Sequence, residues 1–163
     1  MYVLDTEAVL TIPRIIRPNQ LYNFLDDLVE FVEQGEVCFP DAVIAECRRI
    51  ASGEVTAVWI HAVSGSRLHK SIPHRHTVEI LGKCSALLDE DAESDLETSP
   101  ISVAALADFL SQANSGRPYV VSEDRIDLPT RMSLVTACDV LGFPVMDTAT
   151  FINSLGFGGL LLG

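Results

Sequence analysis

The sequence predicts a three-layer α/β/α domain built on a central parallel sheet. Short apolar runs alternate with longer stretches of helical periodicity, and the connections between them are brief. Three of the four strands that can be placed run into an acid: Asp5, Asp124 and Asp147. In parallel sheets covered on both faces, ligands gather outside the carboxyl ends of the strands.

Tyr2 to Leu4 is a short apolar run stopping at Asp5, as a buried parallel strand does. Residues 6–16 carry no assignment. Arg17 to Gln34 reads as a helix with Asn19 as its N-cap, a stripe of Leu21, Phe24, Leu25, Leu28, Phe31 and Val32, and Gly35 as its stop. Val37 to Phe39 is a second strand. A helix starts at Pro40 and Asp41, with Val43, Ile44 and Cys47 on its apolar side and Glu46 beside them. Glu54 to Val63 and Thr77 to Leu88 are two further helices, joined by the turn-rich Ser64 to His76.

The acidic stretch Asp89 to Glu97, closed by Pro100, reads as a solvated loop before the helix Ile101 to Ala113. Tyr119 to Val121 is a β-branched strand running into Ser122-Glu123-Asp124. Thr130 to Leu141 is a helix stopped by Gly142, Phe143 to Met146 a strand, and Thr148 to Leu155 a final helix. One domain over residues 1–155 is expected, followed by an apolar tail, 156–163.

With 163 residues, 48 % hydrophobic and 21 % charged, the chain is expected to fold around one sizeable core, and disorder is excluded. Its net charge of −12 argues against a general polyanion binder, so contact with nucleic acid must be local or metal-assisted. Cys38, Cys47, Cys84 and Cys138 form no CxxC pair and read as free, buried thiols of a reducing cytoplasm. No apolar run approaches the ~20 residues of a membrane span, and no signal peptide opens the chain. A soluble, cytoplasmic protein is expected. Phosphate-loop, dinucleotide, GxSxG and HExxH motifs are absent.

Two carboxylates 4 Å apart repel by roughly 4 kcal/mol at an effective dielectric near 20, so acids gathered by folding need a counter-charge. Mg²⁺ or Mn²⁺ supplies one through hard oxygen ligands, and a pair of such ions orients water and stabilises a departing oxygen in phosphodiester cleavage. Each acid also has a plainer role open to it. Asp5, Asp124 and Asp147 suit turns or helix N-caps, Glu46 can pair with Arg49 at i+3, and Asp108 fits the polar face of its helix.

The order of these residues resembles the PIN-domain nucleases, whose best-known members are the toxin ribonucleases of toxin–antitoxin pairs. The family opens with a hydrophobic strand and Asp-Thr, here Val3-Leu4-Asp5-Thr6. It places an acid on the helix after the second strand, here within Pro40-Asp41-Ala42-Val43-Ile44-Ala45-Glu46, and has a late hydrophobic pair before Ser and an acid, here Val120-Val121-Ser122-Glu123-Asp124. The resemblance spans nearly the whole chain. It implies a Mg²⁺- or Mn²⁺-dependent endoribonuclease with Asp5, Glu46 and Asp124 as catalytic residues and metal ligands, and Asp108 as a further ligand. The family's remaining acid falls in register on Ser102, and Asp108 lies nearly two turns later. Glu7 stands where the family has Asn or Ser. The alternative expectation is a PIN-fold binding or assembly module without a working metal site.

Residues 47–83 hold six basic residues against Glu54 and Glu79, a local charge of +4. Arg48, Arg49, Arg67, Lys70 and Arg75 are therefore the candidate RNA-binding residues, an ordinary solvated surface being the other reading. An RNA substrate, an antitoxin and a second copy of the chain are the expected partners, with no membrane.

Overall fold

A computed structural model describes residues 1–91, 98–113 and 116–163. Four short strands, β1 (Tyr2–Leu4), β2 (Val37–Cys38), β3 (Tyr119–Val121) and β4 (Val145–Met146), form one parallel sheet in the order β2-β1-β3-β4. Among the described residues eight helices flank it, giving the expected three layers. They are α1 (Thr6–Ile15), α2 (Leu21–Glu33), α3 (Asp41–Ile50), α4 (Val55–Val63), α5 (His74–Lys83), α6 (Ser99–Ala113), α7 (Leu134–Leu141) and α8 (Thr148–Ser154). Val3, Leu4, Val120 and Val121 are fully buried, as strands covered on both faces must be. The helix α6 packs on β1 and β3, and α5 packs on α6.

The chain leaves β1 towards β2 on one side, and later returns to place β3 on the other. Between β1 and β3 the winding therefore reverses, and the crevice at their carboxyl ends is where such a sheet receives ligands. Register puts Leu4 opposite Val121, and the Asp5 amide donates to the Val121 carbonyl at 3.1 Å. Asp5 and Ser122 thus leave the sheet side by side.

Several boundaries differ from those expected. The helix α1 occupies residues that carry no sequence assignment; its Pro13 falls in the last turn, where only the bond to a carbonyl one turn back is lost. Asn19 caps nothing: Pro18 to Gln20 form a 3₁₀ turn, and α2 starts at Leu21. The helix expected from Thr77 begins at His74, directly after Pro73, and ends at Lys83, with Ser85 to Leu87 forming a 3₁₀ turn that buries Leu87. The helix expected from Thr130 begins at Leu134, because Ser133 takes the N-cap and accepts from the Thr136 amide at 3.1 Å. Gly142 stops it at φ 76°, a left-handed C-cap that glycine adopts without a Cβ penalty. The acidic segment 92–97 lies outside the described residues.

The tail folds back on its own domain. Leu161 bridges Ile16, the Arg17 amide donates to Leu160, and Phe157 meets Phe24 and Phe31 edge-on. All four cysteines are free and buried. Among the described residues no helix is long and apolar enough to cross a membrane.

Candidate functional site

At the crevice between β1 and β3 lies a cleft of about 170 Å³ whose walls include Asp5, Thr6, Glu7, Glu46, Ser99, Glu123, Asp124, Arg125 and Arg131. The three acids expected to act together, Asp5, Glu46 and Asp124, all line it. Each arrives by a separate local rule. Asp5 follows β1 and caps α1, its Oδ1 accepting from the Ala8 amide at 2.6 Å. Glu46 stands on α3 next to Cys47, which the helix turns into the core. Asp124 ends the Ser122-Glu123-Asp124 exit from β3, and its Oδ2 accepts from Arg131 at 2.8 Å and from the Leu134 amide at 2.9 Å.

Ser122 joins two of these acids. Its hydroxyl donates to Asp5 Oδ2 and accepts from the Asp124 amide, so the exits of the two central strands are locked together. Asp5 is almost completely buried, and burial pushes its carboxyl up to about 7. The bonds from Ser122 and Ala8 oppose that rise, whereas Asp124 and Glu7 add to it by repulsion. The carboxyl is therefore held near its midpoint at neutral pH.

Thr6 is buried in the cleft wall, and its hydroxyl has no hydrogen-bond partner among the described residues. A buried polar atom without a partner costs about 1–3 kcal/mol, and Thr56, Thr98 and Thr148 carry the same cost elsewhere in the fold. Five carboxylates, whose oxygens are hard ligands, stand against two guanidiniums, a balance that suits a divalent cation. Thiol chemistry does not arise here, because burial pushes Cys47 behind Glu46 up to about 12.

The remaining site expectations fall elsewhere. Asp108 does not line the cleft; on α6 it faces α5 and pairs with His76 Nδ1 at 2.7 Å. Ser102 lines a neighbouring cavity of about 460 Å³, and the α6 residues that reach the acidic cleft are Ser99 and Pro100, neither of which carries a carboxylate. Asp147 caps α8 through the Thr150 amide at 2.7 Å, and the Thr150 hydroxyl, together with that amide, holds its carboxyl below the usual range. Glu123 also serves that helix, accepting from the Thr148 amide at 2.8 Å.

Of the candidate RNA-binding residues, Arg48 and Arg49 are exposed in the last turn of α3, where cations complement the helix dipole. Arg67 is spent internally on Asp41, at 2.6 Å, on the Phe39 and Ser64 carbonyls, and on the Phe39 ring. Lys70 lines the 460 Å³ cavity beside His69 and His74, and Arg75 lies against the His76 ring. The cations at the cleft itself are Arg125 and Arg131, which sequence reasoning did not select. Their only signal is proximity to the Ser122-Glu123-Asp124 exit.

The fold and this cleft define an α/β protein with an acidic site at the switch point of a parallel sheet. Residues 2–158 match the family described as "Domain of unknown function (DUF4411)", and the chain belongs to that family. No curated protein matches it.

Proposed function

We propose that this chain is a Mg²⁺- or Mn²⁺-dependent endoribonuclease whose site is the acidic cleft, with Asp5, Glu46 and Asp124 holding the cation and Glu7 at its edge. The observation that supports this best is the convergence of those acids from the ends of β1 and β3 and from α3 on one small cleft. A bound divalent ion would supply a metal-activated water and charge stabilisation at the leaving oxygen. Ser122 and the Ala8 amide fix the rotamer of Asp5, so its remaining lone pairs present to the cleft without further ordering. Arg125, exposed at the rim, is placed to meet a substrate phosphate. The resemblance to PIN nucleases agrees with this reading.

A second reading rests on Arg131. Its guanidinium already neutralises Asp124 at 2.8 Å, and no α6 residue described at the cleft is acidic. A binding module that keeps the cleft shape without cleaving RNA would look the same at these residues. Cleavage of single-stranded RNA with Mg²⁺, Mn²⁺ or EDTA, compared among wild type, Asp5→Asn and Glu46→Gln, separates the two. Metal-dependent cleavage lost by at least a hundredfold in both variants supports the nuclease. No wild-type cleavage with either metal favours the binding module, and equal cleavage in all three proteins rejects this cleft as the site.

A further inference from the structure

We propose that His76 and Glu79 of α5, with Asp108 of α6, form a second cation site, distinct from the acidic cleft and suited to a zinc-class ion. One ligand atom from each of the three lies within 4.8 Å of the others. His76 is fully buried, and its ring is packed edge-on against Phe109 at 5.4 Å, so its nitrogen is held in place by the core. Glu79 follows one helical turn later and therefore shares the face of α5 that meets α6. Gln112, one turn after Asp108, donates its amide to both Glu79 Oε2 and Asp108 Oδ2 at 3.1 Å. That single amide aims two carboxylates from different helices at one point, as outer hydrogen bonds do around metal ligands.

The donor set is what separates this site from the cleft. A neutral imidazole with two carboxylates matches zinc, at about 2.0–2.2 Å to each ligand atom, whereas the cleft offers oxygen alone. Glu79 is only half-buried, so it can close on an ion by rotating, and the solvent side leaves a position for water. Loading requires His76 Nδ1, which lies 2.7 Å from Asp108 Oδ2, to present its lone pair to the ion, with the ring's proton on Nε2. Arg75 Nε now donates to Nε2 at 3.3 Å and has to turn away, which its exposure permits. An ion here would tie α5 to α6, and α5 supplies His74 and Thr77 to the 460 Å³ cavity.

Titration calorimetry of metal-stripped full-length protein with Zn²⁺ tests the site, with Co²⁺ absorption reporting the geometry. The expected result is one saturable equivalent that survives in Asp5→Asn/Glu46→Gln and weakens at least tenfold in Glu79→Gln. Arg75→Ala should bind severalfold more tightly, which a purely structural role of the cluster would not produce. Glu79 is half-exposed, so Glu79→Gln should fold, and its melting temperature without zinc serves as the control. Three results overturn the site: no saturable binding, equal affinity in wild type and Glu79→Gln, or loss confined to Asp5→Asn/Glu46→Gln. The cleft proposal stands or falls separately, since its readout is RNA cleavage with Mg²⁺ or Mn²⁺.

Discussion

Asp5 carries both a structural and a chemical load, and its protonation shows the cost of combining them. In the unfolded chain its carboxyl titrates at 3.8; in the fold, burial raises it to about 7. Between those values the folded state holds a proton that the unfolded state has lost, so the contribution of Asp5 to stability is fully present below pH 4 and is lost as pH rises through 7. A shift of that size corresponds to about 4 kcal/mol once the group is fully ionised. Asp5→Asn keeps an acceptor for the Ala8 amide and adds a donor towards Ser122. It should flatten the pH profile between 4 and 7 and raise the melting temperature at pH 8, as thermal melts in EDTA would show. Mn²⁺ should raise the melting temperature of wild type but not of Asp5→Asn, because the ion favours the ionised carboxylate. Arg131→Ala tests the neighbouring acid. Removing the guanidinium frees Asp124 Oδ2 from one of its two partners, and Mn²⁺ affinity should rise at least threefold, read from the metal dependence of the melting temperature.

At the scale of elements, caps decide where the helices of this small sheet begin. Asp147 and Ser133 each satisfy an orphan amide, and alanine at either position should cost about 1 kcal/mol, measured as a lower urea midpoint at unchanged slope. The same devices explain which elements could be read from sequence. β1 and β3 match to the residue because a strand buried on both faces is a bare apolar run, and α3 follows from Pro40 and Asp41 at its start. α1 carries no sequence assignment: Asp5 reads as the end of a strand, which it is, and its side chain also caps the helix that follows. Asp5 and Asp124 were legible as acids at strand ends, a local feature, whereas Glu46, within α3, was marked only by the resemblance to PIN nucleases, and Asp147, equally a strand-end acid, caps α8 instead of lining the cleft. Arg131 was not legible, since its significance depends on which side chains face it across the crevice. The basic count over residues 47–83 had a related weakness: a sum of charges does not reveal that Arg67 points inward onto Asp41 and Phe39.

For the whole molecule, the returning tail packs on both the end of α1 and the inner face of α2. Phe157 lies 5.3 Å from the Phe24 ring and 6.2 Å from Phe31, both edge-on, while the Leu162 amide donates to the Ile15 carbonyl at 2.7 Å. Phe24 and Ile16 are completely buried, so the tail completes a part of the core to which α1, the helix capped by Asp5, belongs. A fully buried Phe→Ala substitution costs about 3–5 kcal/mol; Phe157 is half-buried, so Phe157→Ala should cost about 2 kcal/mol. In a chain of this length that lowers the melting temperature by about 4–8 °C. Ending the chain at Leu155 should cost more, because the backbone bonds from Arg17 and Leu162 are lost as well. Phe157, Leu160 and Leu161 pack on their own core while Leu162 is exposed, so wild type and Phe157→Ala should scatter light with the same mass per particle at micromolar concentration. A melting temperature that rises with protein concentration in wild type but not in Phe157→Ala would instead assign Phe157 to a contact between two copies.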